Sequence, residues 1–545
     1  MRSPRVPRSG PAGLARQSGL TSVTAAASLV SSLVLNVVIA ARFGAGAETD
    51  AFFVALRIPL GFTAIVLAIG TQAFVPTFSL WLTRKGHSEA SRLISSVLTS
   101  VVLLGSAVAL IGVVTAETIV RISAPGLSAA GIQVGAAAAR LLFLMVPVSA
   151  AAEVLRSLMN AYRAPVLAAA MPIAMSGTTA ILVATVAGGS IEGVAQAFVV
   201  GAIVQLLLMI VLTMTRGLRY RPGWPFRTPE VQRLGRLSVR PVASSGVQLL
   251  TRLGEQFFMS FMPAGSITLV TYGNQLIGSI GGRVFFRSVV VVLLPRLTEA
   301  AAENDRRTFG NITRAGARLV LAFSLPLTAF LVVLAGPGAF LVFRRGNFSA
   351  TDTRLLALVL AVYSVSLIGA ALQRVLLATF LAHLNTRVQL RNTVYGALVN
   401  LALIFPLAML LGGDQPRAVL AVPVAYNCAQ VVNVVHAWVR MRRDLGISLD
   451  GLGRFALRLT SASLSAFGAM LITSSVVGLS GGDTALELGL RGSIVASVGA
   501  VVLGAAVALL LREDVRRSWA TMRAARGTSP KVGGLPDDEP PMADA

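Results

Sequence analysis

The chain has 545 residues, of which 55% are hydrophobic and only 13% are charged, and its mean hydropathy is +0.76. This composition leaves too little polar surface for a water-soluble globule, so it excludes a soluble catalytic or binding protein. The net charge of +24 would suggest nucleic acid in a soluble protein. Here the arginines stand beside apolar segments, as expected of a membrane protein, because Lys and Arg are retained on the cytoplasmic side and attract anionic lipid head groups. We therefore predict a membrane protein without a nucleic-acid partner.

Apolar runs bounded by charges or Gly/Pro clusters recur along the whole chain, each about the length that an α-helix needs to cross a membrane. They predict an all-α polytopic membrane protein with about 14 transmembrane helices. The connections around Ala264 and Gly413 are the shortest between runs. The predicted spans are 20–41, 51–78, 93–116, 136–160, 165–187, 191–215, 237–262, 265–294, 317–343, 353–382, 388–412, 416–439, 456–479 and 488–511.

The charges of the connecting loops test this count, because Lys and Arg accumulate on the cytoplasmic side of a membrane protein. Basic loops alternate with sparse or acidic ones, which predicts that both termini are cytoplasmic. Arg344 and Arg345 are the main exception, and Arg121, Arg417 and Arg491 also fall on or near the sparse side. The basic groups are the N-terminal arm, Arg84/Lys85/Arg92, Arg163, Arg216 to Arg236, a loop from Arg296 to Arg318, Arg387/Arg391, Arg440 to Arg443 and Arg512 to Arg517.

Two pairs of similar segments indicate an internal repeat. One pair aligns Pro76 with Pro295, 219 residues apart, and the other aligns Val166 with Val388, 222 residues apart. Six spans, an even number, fit within one period, so the two halves share one orientation and form a parallel repeat. Chance similarity among apolar helices is the alternative interpretation.

The repeat and the charges divide the chain into two pseudo-symmetric six-helix lobes and two additional C-terminal helices. After Arg526 the sequence is rich in Gly, Pro and acidic residues, which is typical of a disordered tail. The predicted segments are a basic cytoplasmic arm (1–19), an N-lobe (20–216), a basic cytoplasmic linker (217–236), a C-lobe (237–440), the additional helices (441–512) and the tail (513–545).

Ionisable residues inside spans are functional candidates, because each costs several kcal/mol unless it faces water or a partner. Arg57 in span 2 and the i,i+4 pair Arg283 and Arg287 in span 8 have no acid nearby in the sequence. They predict a wet cavity that holds an anion; snorkelling to the interface or pairing across helices is the alternative. A diphosphate would suit the planar fork of Arg.

The other charges inside spans are placed differently. Glu153/Arg156 and Arg252/Glu255 are i,i+3 pairs, so a local ion pair explains them at least as well as a ligand site. Arg140 and Arg374 lie singly in spans 4 and 10.

Other chemistry is not indicated. The single Cys428 and three scattered histidines do not have the spacing of a metal site, and no P-loop sequence for ATP is present. We therefore predict no cofactor, no metal and no enzymatic activity; ion gradients or the membrane potential remain as energy sources.

Several segments together resemble the MurJ/MviN family of lipid II flippases, within the exporter superfamily that includes the MATE-type antiporters. They are ARFGAGAETDAFFVALRIP, QAFVPTF, VLLPRLTEAAAENDRRTF, LVFRRGNFSATDT and LATFLAHLNTRVQL. The resemblance covers about 20 to 510 and implies fourteen helices, alternating access and export of an undecaprenyl-diphosphate-linked peptidoglycan precursor from a bacterial plasma membrane. It also implies that spans 13 and 14 form a groove for the lipid tail.

The chain departs from the family at several positions that line the family's cavity. Leu29, Leu35 and Asn36 replace residues that include two arginines and an acid, and Leu60 and Thr63 replace Asn and Arg. Gly273, Asn274 and Gln275 stand where the family has Ala-Asp-Arg. The chain therefore lacks four arginines of the family's cavity: two from span 1, one from span 2 and one from span 8. Asp50 and Arg57 match the family.

These observations predict a lipid II flippase, with a membrane location and a lipid-linked anionic saccharide as substrate. An exporter of another polyprenyl-linked glycan or amphiphile, or a non-transporting scaffold for cell-wall synthesis proteins, is the alternative. Asp50 is expected near the outer mouth, where it helps the lobes close. The candidate substrate-binding residues are Arg57, Arg283, Arg287, Asp50, Arg252, Glu255 and Arg374.

Overall fold

The computed structural model describes residues 11–84, 86–186, 188–217, 220, 229–280, 286–383, 385–478 and 485–511. Every regular element in those ranges is helical, which confirms the predicted all-α class. The tail from 513 onward and half of the 217–236 linker lie outside the described residues.

The first half of the chain folds into nine α-helices, which we call the N-lobe. A π-helical turn, Gly70–Phe74, separates α2 from α3. The helices are α1 (Pro11–Phe43), α2 (Ala47–Ile69), α3 (Val75–Arg84), α4 (Gly86–Val114), α5 (Ala116–Ser123), α6 (Ala129–Phe143), α7 (Met145–Ala161), α8 (Pro165–Thr185) and α9 (Ile191–Met214).

The second half forms the C-lobe, α10 to α17, followed by α18 and α19. A short 3₁₀ turn, Pro416–Leu420, precedes α17. The helices are α10 (Pro229–Met259), α11 (Ser266–Ile277), α12 (Phe286–Ala302), α13 (Arg306–Val333), α14 (Ala335–Phe343), α15 (Ala350–Ala382), α16 (Thr386–Leu410), α17 (Ala421–Leu445), α18 (Leu452–Val477) and α19 (Ala485–Leu510).

The structure does not confirm the predicted count of fourteen spans. Within the described residues, 11 helices are long and apolar enough to cross a membrane, or 12 if α6 and α7, which bend by 40°, are one span. The predicted spans 7 and 8 fail this test. Helix α10 is long enough but not apolar enough. Helices α11 and α12 are each too short, and they stand on either side of residues 281–285, which are not described. The count of fourteen therefore stays a prediction.

The helix contacts repeat between the two lobes. Helix α1 packs on α8 as α10 packs on α16, α4 packs on α7 as α13 packs on α15, and α8 packs on α9 as α16 packs on α17. The period also repeats in the short helices, since α5 begins at Ala116 and α14 at Ala335, 219 residues later. These equivalences agree with the parallel repeat that the sequence indicates.

Helices α18 and α19 pack against each other and against one side of the C-lobe, on α13 and α14. Their contact is a small apolar cluster in which Met470, Leu488 and Val495 are buried against Phe330 and Phe340. The two helices thus lie outside both lobes, as predicted.

The basic loop predicted from Arg296 to Arg318 is mostly helical, which corrects the prediction. Helix α12 continues to Ala302 and α13 begins at Arg306, because the Asp305 side chain caps α13 by accepting the backbone N–H of Thr308 at 3.0 Å. The hydrogen bonds from Thr308 hold the pKa of the Asp305 carboxyl below its usual value. The hydropathy of the sequence predicted the apolar part of this span, from 317, whereas α13 itself begins earlier, at Arg306.

Two arginines that departed from the charge alternation have acidic partners. The guanidinium of Arg121 lies 2.8 Å from the Glu117 carboxylate, and Arg491 pairs with Glu487. Arg344 lies over the ring of Phe340, 5.4 Å from its centroid. These contacts partly stabilise the positive charges of the three arginines where they stand. Their position on the sparse side is therefore weaker evidence against the predicted topology.

Candidate functional site at the lobe interface

One face of α2 contacts the C-lobe. Asp50, Phe53, Arg57 and Gly61 follow one another at three- or four-residue spacing, so they lie in one line along the helix. Phe53 packs edge-on against Tyr272 of α11, with ring centroids 5.5 Å apart. The whole line faces α10 and α11, and it forms the main seam between the lobes.

Asp50 joins the lobes at one end of this seam. Its carboxylate accepts the backbone N–H of Gly265 at 2.7 Å, the backbone N–H of Thr268 at 2.8 Å and the Thr268 hydroxyl at 2.6 Å. Gly265 is the N-cap of α11 and has a φ of +91°, so a carboxylate of the N-lobe caps a helix of the C-lobe. We call this contact the Asp50 latch.

Two further contacts join the lobes at the same end, where α1 ends and α2 begins; we call it the Gly44 end. The backbone N–H of Asn347 donates to the Ala41 carbonyl at 2.8 Å, and its side-chain amide donates to the Arg42 carbonyl at 2.6 Å. The Ser260 hydroxyl, after α10, accepts the N–H of Gly126 at 3.0 Å. The Gly44 end is therefore closed by several independent hydrogen bonds.

Arg57 lies on the seam two turns beyond Asp50, about 15 Å from the start of α2. Its Nε donates to Oε1 of Gln256 at 3.3 Å, and its Nη2 donates to the Thr271 hydroxyl at 3.4 Å. Both acceptors belong to the other lobe and are neutral, and both bonds are long. The guanidinium thus spans the lobe interface, and no carboxylate of the described residues forms an ion pair with it.

Arg252 and Glu255 of α10 lie close enough to Arg57 to interact with it electrostatically. Arg252 is exposed, whereas Asn400 of α16 donates to the Glu255 carboxylate at 2.5 Å. The hydrogen bond that the structure records for Glu255 is thus to α16 and not to Arg252 as an i,i+3 pair. Two arginines from opposite lobes and one acid consequently share this part of the interface.

Arg374 belongs to the same neighbourhood through two tyrosines. Tyr363 and Tyr426 are in edge contact, with ring centroids 5.8 Å apart, and Tyr426 interacts electrostatically with Glu255, Arg252 and Arg374. The structure therefore brings together four of the predicted residues: Arg57, Arg252, Glu255 and Arg374. Their role in substrate binding stays a prediction.

Two polar atoms of this region, both buried, have no hydrogen-bond partner among the described residues. They are Nε2 of Gln256 and Oδ1 of Asn400. Each residue uses its other amide atom, Gln256 toward Arg57 and Asn400 toward Glu255. Buried polar atoms without partners are costly, so water or a ligand group at this site would stabilise them.

The remaining predicted residues lie elsewhere. Arg283 is outside the described residues, and Arg287 lies in α12 but its side chain is not described. Glu153 and Arg156 form the predicted ion pair inside α7, with Nη2 and Oε2 2.5 Å apart. That pair is mostly buried and has a local partner, which favours a structural role.

The interface also contains residues that the sequence did not single out as partners. Gln256, Thr271, Gly265 and Thr268 hold the two N-lobe side chains, but they are more than 190 positions away from them in the chain. One signal was present: Asp50 stands in the first turn of α2 without a basic residue three or four positions later. Such an acid is free to bind a group from another element.

Two of the positions at which the chain departs from the family's cavity residues contact each other across the interface. The side-chain amide of Asn36 in α1 donates to the side-chain oxygen of Gln275 in α11. A neutral amide pair thus joins the lobes at a point where the resemblance implies an acid and an arginine.

The comparisons with known proteins agree with this architecture. The family model described as lipid II flippase MurJ matches residues 39–485. A probable lipid II flippase MurJ of Vibrio cholerae is 26% identical over 391 residues, which are 69% of this chain and 74% of that protein.

Two solved structures show the same fold. One, of the lipid II flippase MurJ in an inward closed conformation, has a TM-score of 0.76 at 19% identity and covers 91% of this chain and 99% of its own. The other, an inward-facing multidrug transporter of the MATE family, has a TM-score of 0.59 at 14% identity and covers 78% of this chain and 96% of its own. The likeness in structure at these identities concerns the fold alone.

Proposed function

Because the chain belongs to the lipid II flippase MurJ family, we propose that it moves lipid II, a lipid-linked peptidoglycan precursor, across the bacterial plasma membrane. The observation that carries the proposal is the family match over residues 39–485, which spans both lobes. The two-lobed fold supports it, since parallel repeats place a substrate between their halves and expose it to each side in turn.

We propose that Arg57, together with Arg283 and Arg287, holds the diphosphate of the substrate. Arg57 supports this role because its contacts are long and neutral, so its positive charge is available to an anion at the lobe interface. Arg252 and Arg374 add positive charge nearby, and Glu255 offsets part of it. Water entering between the lobes would also meet the unpaired amide atoms of Gln256 and Asn400.

The Asp50 latch closes one face of this path. With both termini in the cytoplasm, as the loop charges predict, the Gly44 end is the outer face, because α1 ends there. In this orientation the outer face is closed by the latch, and export requires the three bonds of Asp50 to break. The latch would then re-form once the substrate has left.

Complementation tests the function directly. We expect this chain to restore growth and cell shape in a bacterium depleted of its own lipid II flippase. Replacing both Arg283 and Arg287 by Ala should abolish the rescue and leave the amount of protein in the membrane unchanged, because removing charges from a span lowers its insertion cost. A matched change of the exposed pair Arg442 and Arg443 to Ala should preserve rescue.

The same experiment separates transport from a scaffold role. A scaffold would fail to rescue and would still be recovered with cell-wall synthesis proteins. Failure of the unaltered chain at normal membrane levels, with that association retained, would overturn the flippase proposal.

A further inference from the structure

A cavity lies far from the lobe interface, where α13 begins and α17 is joined to α18. Its volume is about 150 Å³, and it is lined by Arg306, Arg307, Gly310, Arg314 and the segment from Gly446 to Ser448. We propose that this cavity is a binding site for the phosphate group of an anionic phospholipid, separate from the substrate path. We call it the Arg306 pocket.

The arginines of the pocket converge for a local reason. Arg306, Gly310 and Arg314 are spaced four residues apart, so they occupy one face of α13. Gly310 has no side chain between the two arginines, and a β-carbon there would stand 3.8 Å from Ile447 and 4.0 Å from Nη2 of Arg314. This face of the helix is therefore a shallow recess with a cation at each end.

The opposite wall is rigid. Gly446 has a φ of +65°, which turns the chain sharply after α17. Ile447 is buried in an apolar cluster with Phe309 and Met441. The wall and the helix face thus share one core, and the pocket is held in place by packing.

The positive charge of the pocket is only partly offset by nearby acids. Asp444 pairs with Arg440. Asp305 accepts from Thr308, and Asp450 accepts from Ser448 in the pocket wall, so two carboxylates lie beside the three lining arginines. Arg314 donates to a neutral atom, Oδ1 of Asn311, at 2.8 Å. Within the described residues, neither Arg306 nor Arg314 has an ion-pair partner. Asp305 lies close enough to Arg307 to offset part of its charge.

The position of the pocket identifies the source of the anion. Three helices that are long and apolar enough to cross a membrane have an end here: one begins at Arg306, one ends at Leu445 and the next begins at Leu452, each extending past its apolar part. Span ends lie at the level of the lipid head groups, where phosphates are concentrated and basic residues attract anionic lipids. The volume accommodates a phosphate with several waters, because water occupies about 30 Å³ in the liquid.

The test is lipid binding by the purified full-length protein in detergent, followed by native mass spectrometry during titration with phosphatidylglycerol or phosphatidylcholine. The unaltered protein should prefer phosphatidylglycerol. The variant R306Q/R314Q should lose affinity for it about 30-fold, corresponding to about 2 kcal/mol, because each basic residue near an anionic surface contributes about 1 kcal/mol.

The control variant R84Q/R387Q removes the same charge from two exposed arginines outside the pocket and should keep its affinity within about threefold, by the same scale of charge effects. Equal losses in both double variants would reduce the effect to overall charge and overturn the proposal. Inorganic phosphate that displaces the lipid at equal concentration would identify a soluble anion as the ligand, and it would overturn the lipid assignment. A thermal melt of each variant without added lipid verifies that it is folded. If R306Q/R314Q is unfolded, the single variant R314Q is used instead, and its affinity for phosphatidylglycerol should fall about fivefold.

Discussion

Replacing Asp50 by Asn should open the Gly44 end of the protein. The Asn side chain has nearly the same shape, so it can still accept the two hydrogen bonds from Thr268 through its carbonyl oxygen. Its amide nitrogen, however, is a donor and would face the backbone N–H of Gly265. The substitution therefore removes one buried bond and weakens two others.

The magnitude follows from these three bonds. A buried N–H left without an acceptor costs about 1–3 kcal/mol, and a hydrogen bond to a charged acceptor is about twice as strong as a neutral one. The sum is about 3 kcal/mol against the closed arrangement. Because 1.4 kcal/mol is a factor of ten, the ratio of closed to open molecules should fall by about 100-fold.

The assay measures the distance between spin labels on the two lobes. Glu48 in α2 and Asp414 before α17 are exposed near the Gly44 end, so each is replaced by Cys and labelled in a Cys428→Ala background. Asp50→Asn should add a population at longer distance. The control is Asp352→Asn, which removes an equal charge from a cap within one lobe, at the start of α15. An unchanged distance distribution in the Asp50 variant would refute the latch.

Three further substitutions test the remaining geometry. Gly265→Ala places a β-carbon 2.6 Å from the Ala45 carbonyl at a positive φ, so it should give the same longer distances, whereas Gly453→Ala, with open space around it, should not. Arg57→Gln should abolish rescue of flippase-depleted cells at normal membrane levels, and Arg57→Lys should retain part of it because the charge remains. Arg156→Leu leaves the buried Glu153 carboxylate unpaired and should lower the free energy of unfolding in detergent by about 3 kcal/mol. A second change, Glu153→Gln, removes the unpaired charge and should recover most of that stability.

The sequence predicted the features that depend on local patterns. Apolar runs gave the helices, and the separation of Pro76 from Pro295 anticipated the repeated contacts of the two lobes. The Glu153/Arg156 pair was also predictable, because residues three apart on a helix are neighbours whatever the tertiary structure. Each of these features can be recognised in the sequence without knowing which helices pack together.

Features that depend on distant contacts were not predictable. Nothing near Asp50 in the chain indicates that its partner lies 215 positions away, at the start of α11. The same reason explains Glu255, for which spacing suggested Arg252 as a partner but could not indicate the hydrogen bond from Asn400 of α16. The start of α13 at Arg306 was missed for a different reason, since hydropathy marks only the apolar part of a span and a helix can begin before it.

The π-helical turn between α2 and α3 has a consequence for how the lobes can move. Such turns interrupt the regular hydrogen-bond ladder and make a helix easier to bend at that level. A second one occurs at 278–280, directly after α11, in the matching span of the C-lobe. The two helices that form the Asp50 latch, α2 and α11, are thus each followed by a π-helical turn on the side away from the latch. The segments on that side can swing while the latched halves stay together, so one mouth of the transporter can widen or narrow without the other being released.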